Sequence, residues 1–123
     1  MAYHRAKKHF GQHFLHDQYV IDQIVTIFDP KPDEKIIEIG PGKGALTIPL
    51  LQKHHELDVI EIDRELASAI SDKCKNVGSL KVHCVDVLNF DFCQFDNKRV
   101  RVIGNLPYNI STPVIFHLLK NHH

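Results

Sequence analysis

The sequence predicts an α/β fold in which helices alternate with the strands of a parallel sheet. Segments with apolar residues at helical spacing are separated by short apolar runs that are typical of buried strands. Each of these runs ends in a polar or glycine-rich turn. Strands joined through helices imply right-handed crossovers and therefore a parallel sheet. No linker or internal repeat divides the chain.

Length and composition describe an ordinary soluble domain. The 123 residues suffice for one small core, and 43% hydrophobic with 24% charged residues is a usual balance. The formal net charge is zero, so overall charge does not indicate a polyanionic partner. Three cysteines without C-x-x-C spacing and scattered histidines favour reduced thiols in the cytoplasm and no metal site. We expect no signal peptide and no membrane span.

Three helices and four strands are predicted ahead of the last segment. Asp17 can cap the first helix, whose apolar residues share one face as far as Phe28. Pro49 should kink the second helix or leave one carbonyl unpaired. The helices cover residues 17–28, 45–53 and 64–75, and the strands cover residues 35–39, 57–62, 80–85 and 99–103. A last helix is expected to begin at Ser111 or Thr112, with Pro113 in its first turn.

The first 16 residues form a basic segment. They carry Arg5, Lys7, Lys8 and four histidines, and no acidic residue precedes Asp17. Aromatic side chains are interleaved with these groups, which suits binding to a phosphate backbone. A solvated terminus explains the same residues equally well.

A glycine-rich turn and three acidic residues follow the predicted strands. The run GPGKG at residues 40–44 permits positive φ and close approach of a ligand, but its spacing differs from the G-x-G-x-x-G of dinucleotide-binding proteins. Glu38 could hold loop amides or pair with a lysine. Glu61 could accept ribose hydroxyls, which suits NAD and S-adenosylmethionine equally, or be an exposed carboxylate. Asp86 could accept from an adenine amino group or cap a turn. Ligands of such sheets bind at the carboxyl ends of the strands, where these residues should converge.

The turn after the fourth strand suits the exocyclic amine of a planar base. Asn105 supplies an amide oxygen, and Pro107 holds Leu106 extended, so that the Leu106 carbonyl can be a second acceptor. Tyr108 offers a ring for stacking on the base. The alternative is an ordinary turn with Tyr108 half-buried in the core.

Together these motifs resemble a known enzyme class. They resemble the Rossmann-like class I methyltransferases in their order along the chain, which is E-x-G-x-G-x-G, then Glu61, then Asp86, then Asn-Leu-Pro-Tyr. The last of these motifs is similar to the [NDS]-x-P-[YF] signature of amino-group methyltransferases. Residues 7–15 and 105–113 resemble the ribosomal RNA adenine dimethyltransferases. The small-subunit branch fits best, because the large-subunit branch more often has Ile in place of Leu106. The resemblance covers residues 7–119.

The resemblance implies that the chain binds S-adenosylmethionine and a target adenine. Glu61 would hold the ribose, Ile62 would pack on the cofactor adenine, and Asp86 would bind its amino group. At His13 the family usually has Asn. The implied cofactor residues are His13, Leu15, Gly40, Gly42, Glu61, Ile62, Asp86 and Asn105, and the implied catalytic residues are Asn105, Leu106, Pro107 and Tyr108.

The implied reaction is dimethylation of N6 of two adjacent adenosines in a hairpin loop near the 3′ end of small-subunit rRNA. The partner would be the immature small ribosomal subunit in the cytoplasm, without a metal or a membrane. Three alternatives are a non-catalytic RNA-binding or assembly factor, an inactive fragment and a nicotinamide-dependent oxidoreductase.

The resemblance also implies a truncated Rossmann-like sheet of order 3-2-1-4 with flanking helices. Residues 1–16 would be a basic arm, and residues 17–123 would be the N-terminal part of the cofactor-binding domain. Further strands and a helical domain that grips RNA would be missing. The fourth strand would then be a bare apolar edge, which invites pairing or aggregation. We expect weak cofactor binding and little or no catalysis by this chain alone.

Overall fold

The structure is a computed structural model that describes residues 17–95, 99–105 and 114–119. These residues form helices on a five-stranded sheet. The helices are α1 (Gln18–Phe28), α2 (Thr47–His54) and α3 (Arg64–Lys73), and the strands are β1 (Glu34–Ile39), β2 (Glu56–Ile60), β3 (Ser79–His83), β4 (Arg99–Asn105) and β5 (Val114–Leu119). Two short 3₁₀ turns, Val87–Asn89 and Phe92–Gln94, lie between β3 and β4.

The strand order is β3-β2-β1-β4-β5. The first four strands run parallel to one another, as expected of strands joined through crossovers. The predicted order 3-2-1-4 with flanking helices is therefore confirmed, and a fifth strand extends it.

The prediction of a last helix is wrong. Val114–Leu119 forms β5, which pairs antiparallel with β4 from Val100 opposite Leu119 to Asn105 opposite Val114. A short apolar run that begins with β-branched residues fits a strand as well as a helix. On the side away from β1, β4 presents a row of backbone donors and acceptors that such a run can satisfy. The expected bare edge of β4 is therefore covered by β5. The expected capping residues 111–113 lie outside the described residues.

Local sequence signals account for the first two helices. Asp17 caps α1 by accepting from the backbone N–H of Tyr19 at 3.0 Å, as predicted. α2 begins at Thr47, later than predicted, so Pro49 falls in its first turn. A proline is accommodated there, because the N–H groups of a first turn have no acceptor within the helix. The N–H groups of Ile48 and Leu50 donate to the carbonyls of Gly44 and Leu46, but Pro49 has no N–H, and none of the described residues donates to the Ala45 carbonyl. Of the two predicted outcomes the structure thus agrees with the unpaired carbonyl, and α2 continues to His54.

The two faces of the sheet are covered differently. One face packs against α1, α2 and α3 around a core that includes Phe28, Leu50 and Ile70. On the other face a smaller cluster around Ile37 and Val102 packs against residues 87–95. This second covering segment comes directly after Asp86.

The register brings the carboxyl ends of four strands to one edge. Ile39 in β1 lies opposite Gly104 in β4, so Gly40 and Asn105 follow side by side. The Gly40 N–H donates to the carbonyl of Ile60 at 2.9 Å. The Glu61 N–H donates to the carbonyl of His83 at 3.0 Å, which aligns the ends of β2 and β3.

Candidate functional site

The glycine-rich turn after β1 has two kinds of glycine. Gly40, Gly42 and Gly44 all have positive φ, at +66°, +57° and +90°. A Cβ added at Gly40 or Gly42 would meet no atom within 4 Å, so these positions border open space. A Cβ at Gly44 would come within 2.6 Å of Ile70 Cδ1. The first two glycines therefore leave room for a ligand, whereas Gly44 lets α3 pack closely against the turn.

Glu38 is buried beneath this turn, with 2% of its surface exposed. Thr47 Oγ1 donates to Glu38 Oε1 at 2.6 Å, which ties the end of β1 to the start of α2. Among the described residues the partner is thus a threonine hydroxyl, and neither the predicted loop amides nor a described lysine pairs with Glu38. Burial raises the pKa of Glu38 to about 7; the Thr47 hydrogen bond opposes this shift and the charge of Glu61 adds to it.

The raised pKa makes the charge on Glu38 unfavourable for folding at neutral pH. Below pH 4.5 the carboxyl is protonated in both the folded and the unfolded states, and no penalty exists. Between pH 4.5 and about 7 only the unfolded state loses the proton, so stability falls as pH rises. Above this window the penalty is complete, at about 3 kcal/mol. We expect Glu38→Gln to unfold at higher urea concentration than wild type at pH 8, and at a similar concentration at pH 4.

Exposed Glu56, in β2, provides the control for this measurement. Glu56→Gln should leave the pH dependence of the urea midpoint unchanged. If the difference in urea midpoint between wild type and Glu38→Gln were the same at pH 5 and pH 8, the raised pKa of Glu38 would be contradicted.

Glu61 follows β2 and is oriented by its neighbour. The Asp63 N–H donates to Glu61 Oε2 at 3.0 Å, while Asp63 itself caps α3. Only 7% of Glu61 is exposed, so the alternative of an exposed carboxylate is wrong. None of the described residues makes a hydrogen bond to Oε1, which leaves this oxygen for a ligand at the edge of the sheet.

Asp86 follows β3 and stands next to Val85 in the chain. Its Oδ1 accepts from the N–H of Leu88 at 2.9 Å, so the predicted capping role is confirmed. Within the described part of the chain, Oδ2 has no such partner. Ile62, after β2, is 64% exposed, and Val85 and Leu88 are also exposed. A carboxylate oxygen beside exposed apolar surface can bind a flat ring that carries an amino group.

The structure describes only part of the predicted base-binding site. Asn105 is the last residue of β4 and lies at the same edge as Gly40. The other residues predicted for this site and for closing over the cofactor lie outside the described residues, as does the basic arm at residues 1–16; they are His13, Leu15, Leu106, Pro107 and Tyr108.

A groove of about 480 Å³ lies on the helix side of the molecule. Its lining includes Gln18, Gly44, Ile48 and Lys73, but neither Glu61 nor Asp86. Glu61 and Asp86 therefore do not take part in this groove.

Sequence reasoning missed a buried polar cluster on the other face of the sheet. Asp58, which is 2% exposed, accepts from Lys35 Nζ at 2.9 Å and bonds His83 Nε2 at 2.7 Å. The available signal was an aspartate inside the apolar run of β2. Asp58 lies three residues before Glu61, and His83 lies three residues before Asp86.

The described residues also bear on metals, membranes and thiols. Across residues 17–95, 99–105 and 114–119, no group of three or more His, Cys, Asp and Glu side chains could hold a metal ion. In the same residues, no helix has the length and apolar character needed to cross a membrane.

Cys74, Cys84 and Cys93 are free thiols, and burial raises the pKa of Cys74.

Solved structures share this architecture. A 23S rRNA methyltransferase, ErmE, superposes with a TM-score of 0.59 at 21% identity, over 73% of this chain and 47% of that one. A dimethyladenosine transferase from Plasmodium falciparum gives 0.58 at 18% identity, over 73% of this chain and 42% of that one. At these identities the likeness concerns the fold alone, and it confirms the Rossmann-like sheet.

Sequence comparison identifies the family. The model of the family described as ribosomal RNA adenine dimethylase matches residues 3–123. Ribosomal RNA small subunit methyltransferase A of Nitrosococcus oceani is 52% identical over 118 residues, which are 94% of this chain and 45% of that protein. Its namesake in Xanthomonas campestris is 51% identical over 117 residues, with the same coverage. The chain spans about half the length of these relatives, and it belongs to the ribosomal RNA adenine dimethylase family.

Proposed function

We propose that this protein uses S-adenosylmethionine to dimethylate N6 of two adjacent adenosines in a hairpin loop near the 3′ end of small-subunit rRNA. It would act on the immature small subunit in the cytoplasm, during ribosome biogenesis. One observation carries the proposal: the glycine-rich turn, Glu61, Asp86 and Asn105 converge on one sheet edge in a member of the rRNA adenine dimethylase family. Relatives named as small-subunit rRNA methyltransferases support rRNA as the partner.

The described residues of this edge fit the nucleoside part of the cofactor. Glu61 presents a carboxylate that Asp63 orients, which suits the two ribose hydroxyls. The exposed side chain of Ile62 would cover one face of the adenine. Asp86 Oδ2 would accept from the adenine amino group, while Oδ1 caps the following turn.

The remaining cofactor contacts would come from the backbone of the glycine-rich turn, from Asn105 and from the basic arm at residues 1–16. Gly40 and Gly42 border open space, so the cofactor can lie directly against their backbone. Asn105 lies beside Gly40 at the end of β4. It would therefore lie between this turn and the target base. His13 and Leu15 would close over the methionine part.

Catalysis would consist mainly of positioning. When bound, S-adenosylmethionine supplies a methyl group on an electrophilic sulfonium. The Asn105 amide oxygen and the Leu106 carbonyl would accept the two N6 hydrogens, which favours a tetrahedral nitrogen whose lone pair can attack in line. Pro107 would hold this turn, and Tyr108 would stack on a base that has left its helix, as loop bases do most readily. The proton of N6 would leave to water.

Calorimetric titration with S-adenosylhomocysteine tests the cofactor site. We expect this chain to bind it weakly and Glu61→Ala to weaken binding by roughly tenfold or more, because hydrogen bonds to a charged group are lost. Glu56→Ala is the matched control, since it removes a glutamate from the opposite end of β2. Absence of binding by a chain with a folded circular-dichroism spectrum would contradict the proposal. Equal effects of the two substitutions would contradict the role of Glu61.

A non-catalytic RNA-binding or assembly factor is the second candidate. The basic composition of residues 1–16 favours it, and RNA binding without affinity for S-adenosylhomocysteine would support it. The family match and the glycine spacing both speak against a nicotinamide-dependent oxidoreductase. Titration with NADH should therefore give no heat of binding.

A further inference from the structure

The buried cluster of Asp58, Lys35 and His83, here called the Asp58 cluster, uses both oxygens of its carboxylate. Lys35 Nζ donates to Oδ1 at 2.9 Å, and His83 Nε2 bonds Oδ2 at 2.7 Å. The three side chains come from β1, β2 and β3, so they connect three neighbouring strands. The side chain of Asp58 is 3% exposed, that of Lys35 16% and that of His83 22%.

Both partners of Asp58 also contact the segment that covers this face of the sheet. The His83 ring meets the Phe90 ring edge to face, with centroids 4.9 Å apart and planes at 71°. Lys35 Nζ lies 4.9 Å from the centre of the Phe95 ring. Phe90 in turn packs edge to face on Phe92, again at 4.9 Å. The covering segment is thus held at two rings by the Asp58 cluster.

This covering segment, residues 87–95, directly follows Asp86, to which the proposed function assigns the adenine amino group. Asp86 caps the first 3₁₀ turn through the Leu88 N–H, and its carbonyl accepts from the Asn89 N–H at 2.9 Å. The next turn is capped by Asp91, which accepts from the Cys93 N–H at 2.9 Å. The direction of the Asp86 carboxylate therefore depends on where these turns lie on the sheet.

Stability alone gives little reason for such a cluster. Buried ion pairs lose much of their Coulombic gain to desolvation, and apolar side chains of similar volume often serve as well or better. The same face already contains an apolar cluster with Ile37, Ile60 and Val102. Directional hydrogen bonds hold a geometry more strictly than apolar packing does.

We propose that the Asp58 cluster positions Asp86, with His83 as the residue that sets selectivity for a 6-amino purine in the cofactor. This inference rests on the proposed function. His83 acts through the Phe90 ring and the three-residue connection to Asp86, without touching the cofactor. Loss of His83 releases the turn, and the carboxylate no longer distinguishes an amino group from an oxo group.

The test compares two ligands by calorimetry: S-adenosylhomocysteine and S-inosylhomocysteine, in which an oxo group replaces the 6-amino group. The oxo group presents an acceptor to the Asp86 carboxylate, so wild type should prefer the adenosyl ligand by about tenfold or more. His83→Ala should reduce this ratio to roughly threefold or less. His83→Gln keeps an N–H donor to Asp58 but loses the ring that meets Phe90, so its ratio should fall as in His83→Ala.

Two further variants separate positioning from general destabilisation. Arg101→Gln breaks a 3.0 Å ion pair with buried Glu34 on the other face of the sheet, and it should leave the ratio unchanged. Phe90→Leu removes the ring contact and leaves both hydrogen bonds of Asp58 in place, so it should lower the ratio. This variant tests the inference even if His83→Ala does not fold.

The outcomes distinguish this inference from the function on which it rests. A lower ratio in His83→Ala or Phe90→Leu, but not in Arg101→Gln, supports the inference. Equal weakening of both ligands with an unchanged ratio overturns it and leaves the cofactor site intact. A wild type that binds both ligands equally well also overturns it. A wild type that binds neither ligand overturns the proposed function as well.

Discussion

Replacing Gly44 by alanine is expected to lower the free energy of unfolding by about 3 kcal/mol. The φ of +90° disfavours any residue with a Cβ, and the added atom would come within 2.6 Å of Ile70 Cδ1. Cδ1 is the end of the Ile70 side chain, which is 1% exposed in the main core, so turning it away from the new methyl group presses it against other packed side chains. Urea unfolding followed by circular dichroism measures the change.

Gly42→Ala is the matched control for this prediction. Its φ of +57° carries a similar backbone strain, but the added Cβ meets no atom within 4 Å. We therefore expect a loss of only about 1 kcal/mol. Equal losses in the two variants would show that backbone strain alone, and not the packing of α3 on the turn, accounts for Gly44.

Replacing Asp58 by alanine is expected to cost about 4 kcal/mol of stability. The substitution leaves the ammonium group of Lys35 and the ring of His83 largely buried without their common acceptor. Removing one partner of a buried ion pair is costly because the remaining charge keeps its desolvation penalty. The measurement is again the urea midpoint, together with the slope of the transition, which should not change.

The exposed ion pair between Lys31 and Asp29, at 2.6 Å, provides the control. Asp29→Asn removes the charge and keeps a residue that tolerates the left-handed conformation at this position. We expect no measurable change in stability, since exposed pairs gain little from their Coulombic attraction. If Asp58→Ala were equally neutral, the Asp58 cluster would not hold the three strands together.

Local signals were sufficient where neighbouring residues decide the structure. Asp17 and the apolar spacing up to Phe28 predicted α1, because capping and amphipathic periodicity act within a few residues. The polar ends of the strands were predicted to converge because parallel strands bring their carboxyl ends to one edge. The positions of Glu61 and Asp86 after β2 and β3 agree with this expectation.

The errors occurred where distant partners decide the structure. Val114–Leu119 could be read as helix or strand, and pairing with β4 selects the strand. Glu38 was matched to loop amides or a lysine, but burial brings it to Thr47. The Asp58 cluster joins side chains up to 25 residues apart in the chain, and it depends on a register that no single segment reveals.

The sequence by itself determined the α/β class, the first helix and its cap, and the set of polar residues that follow the strands. It also carried the motifs on which membership of the adenine dimethylase family was inferred. Only the tertiary structure decided that β5 pairs with the edge of β4, and that Glu38 is buried against Thr47 with a raised pKa. It also decided that the Asp58 cluster contacts the segment after Asp86. The physical reason is that strand pairing, desolvation and packing between sheet faces depend on residues that are far apart in the chain and close only after folding.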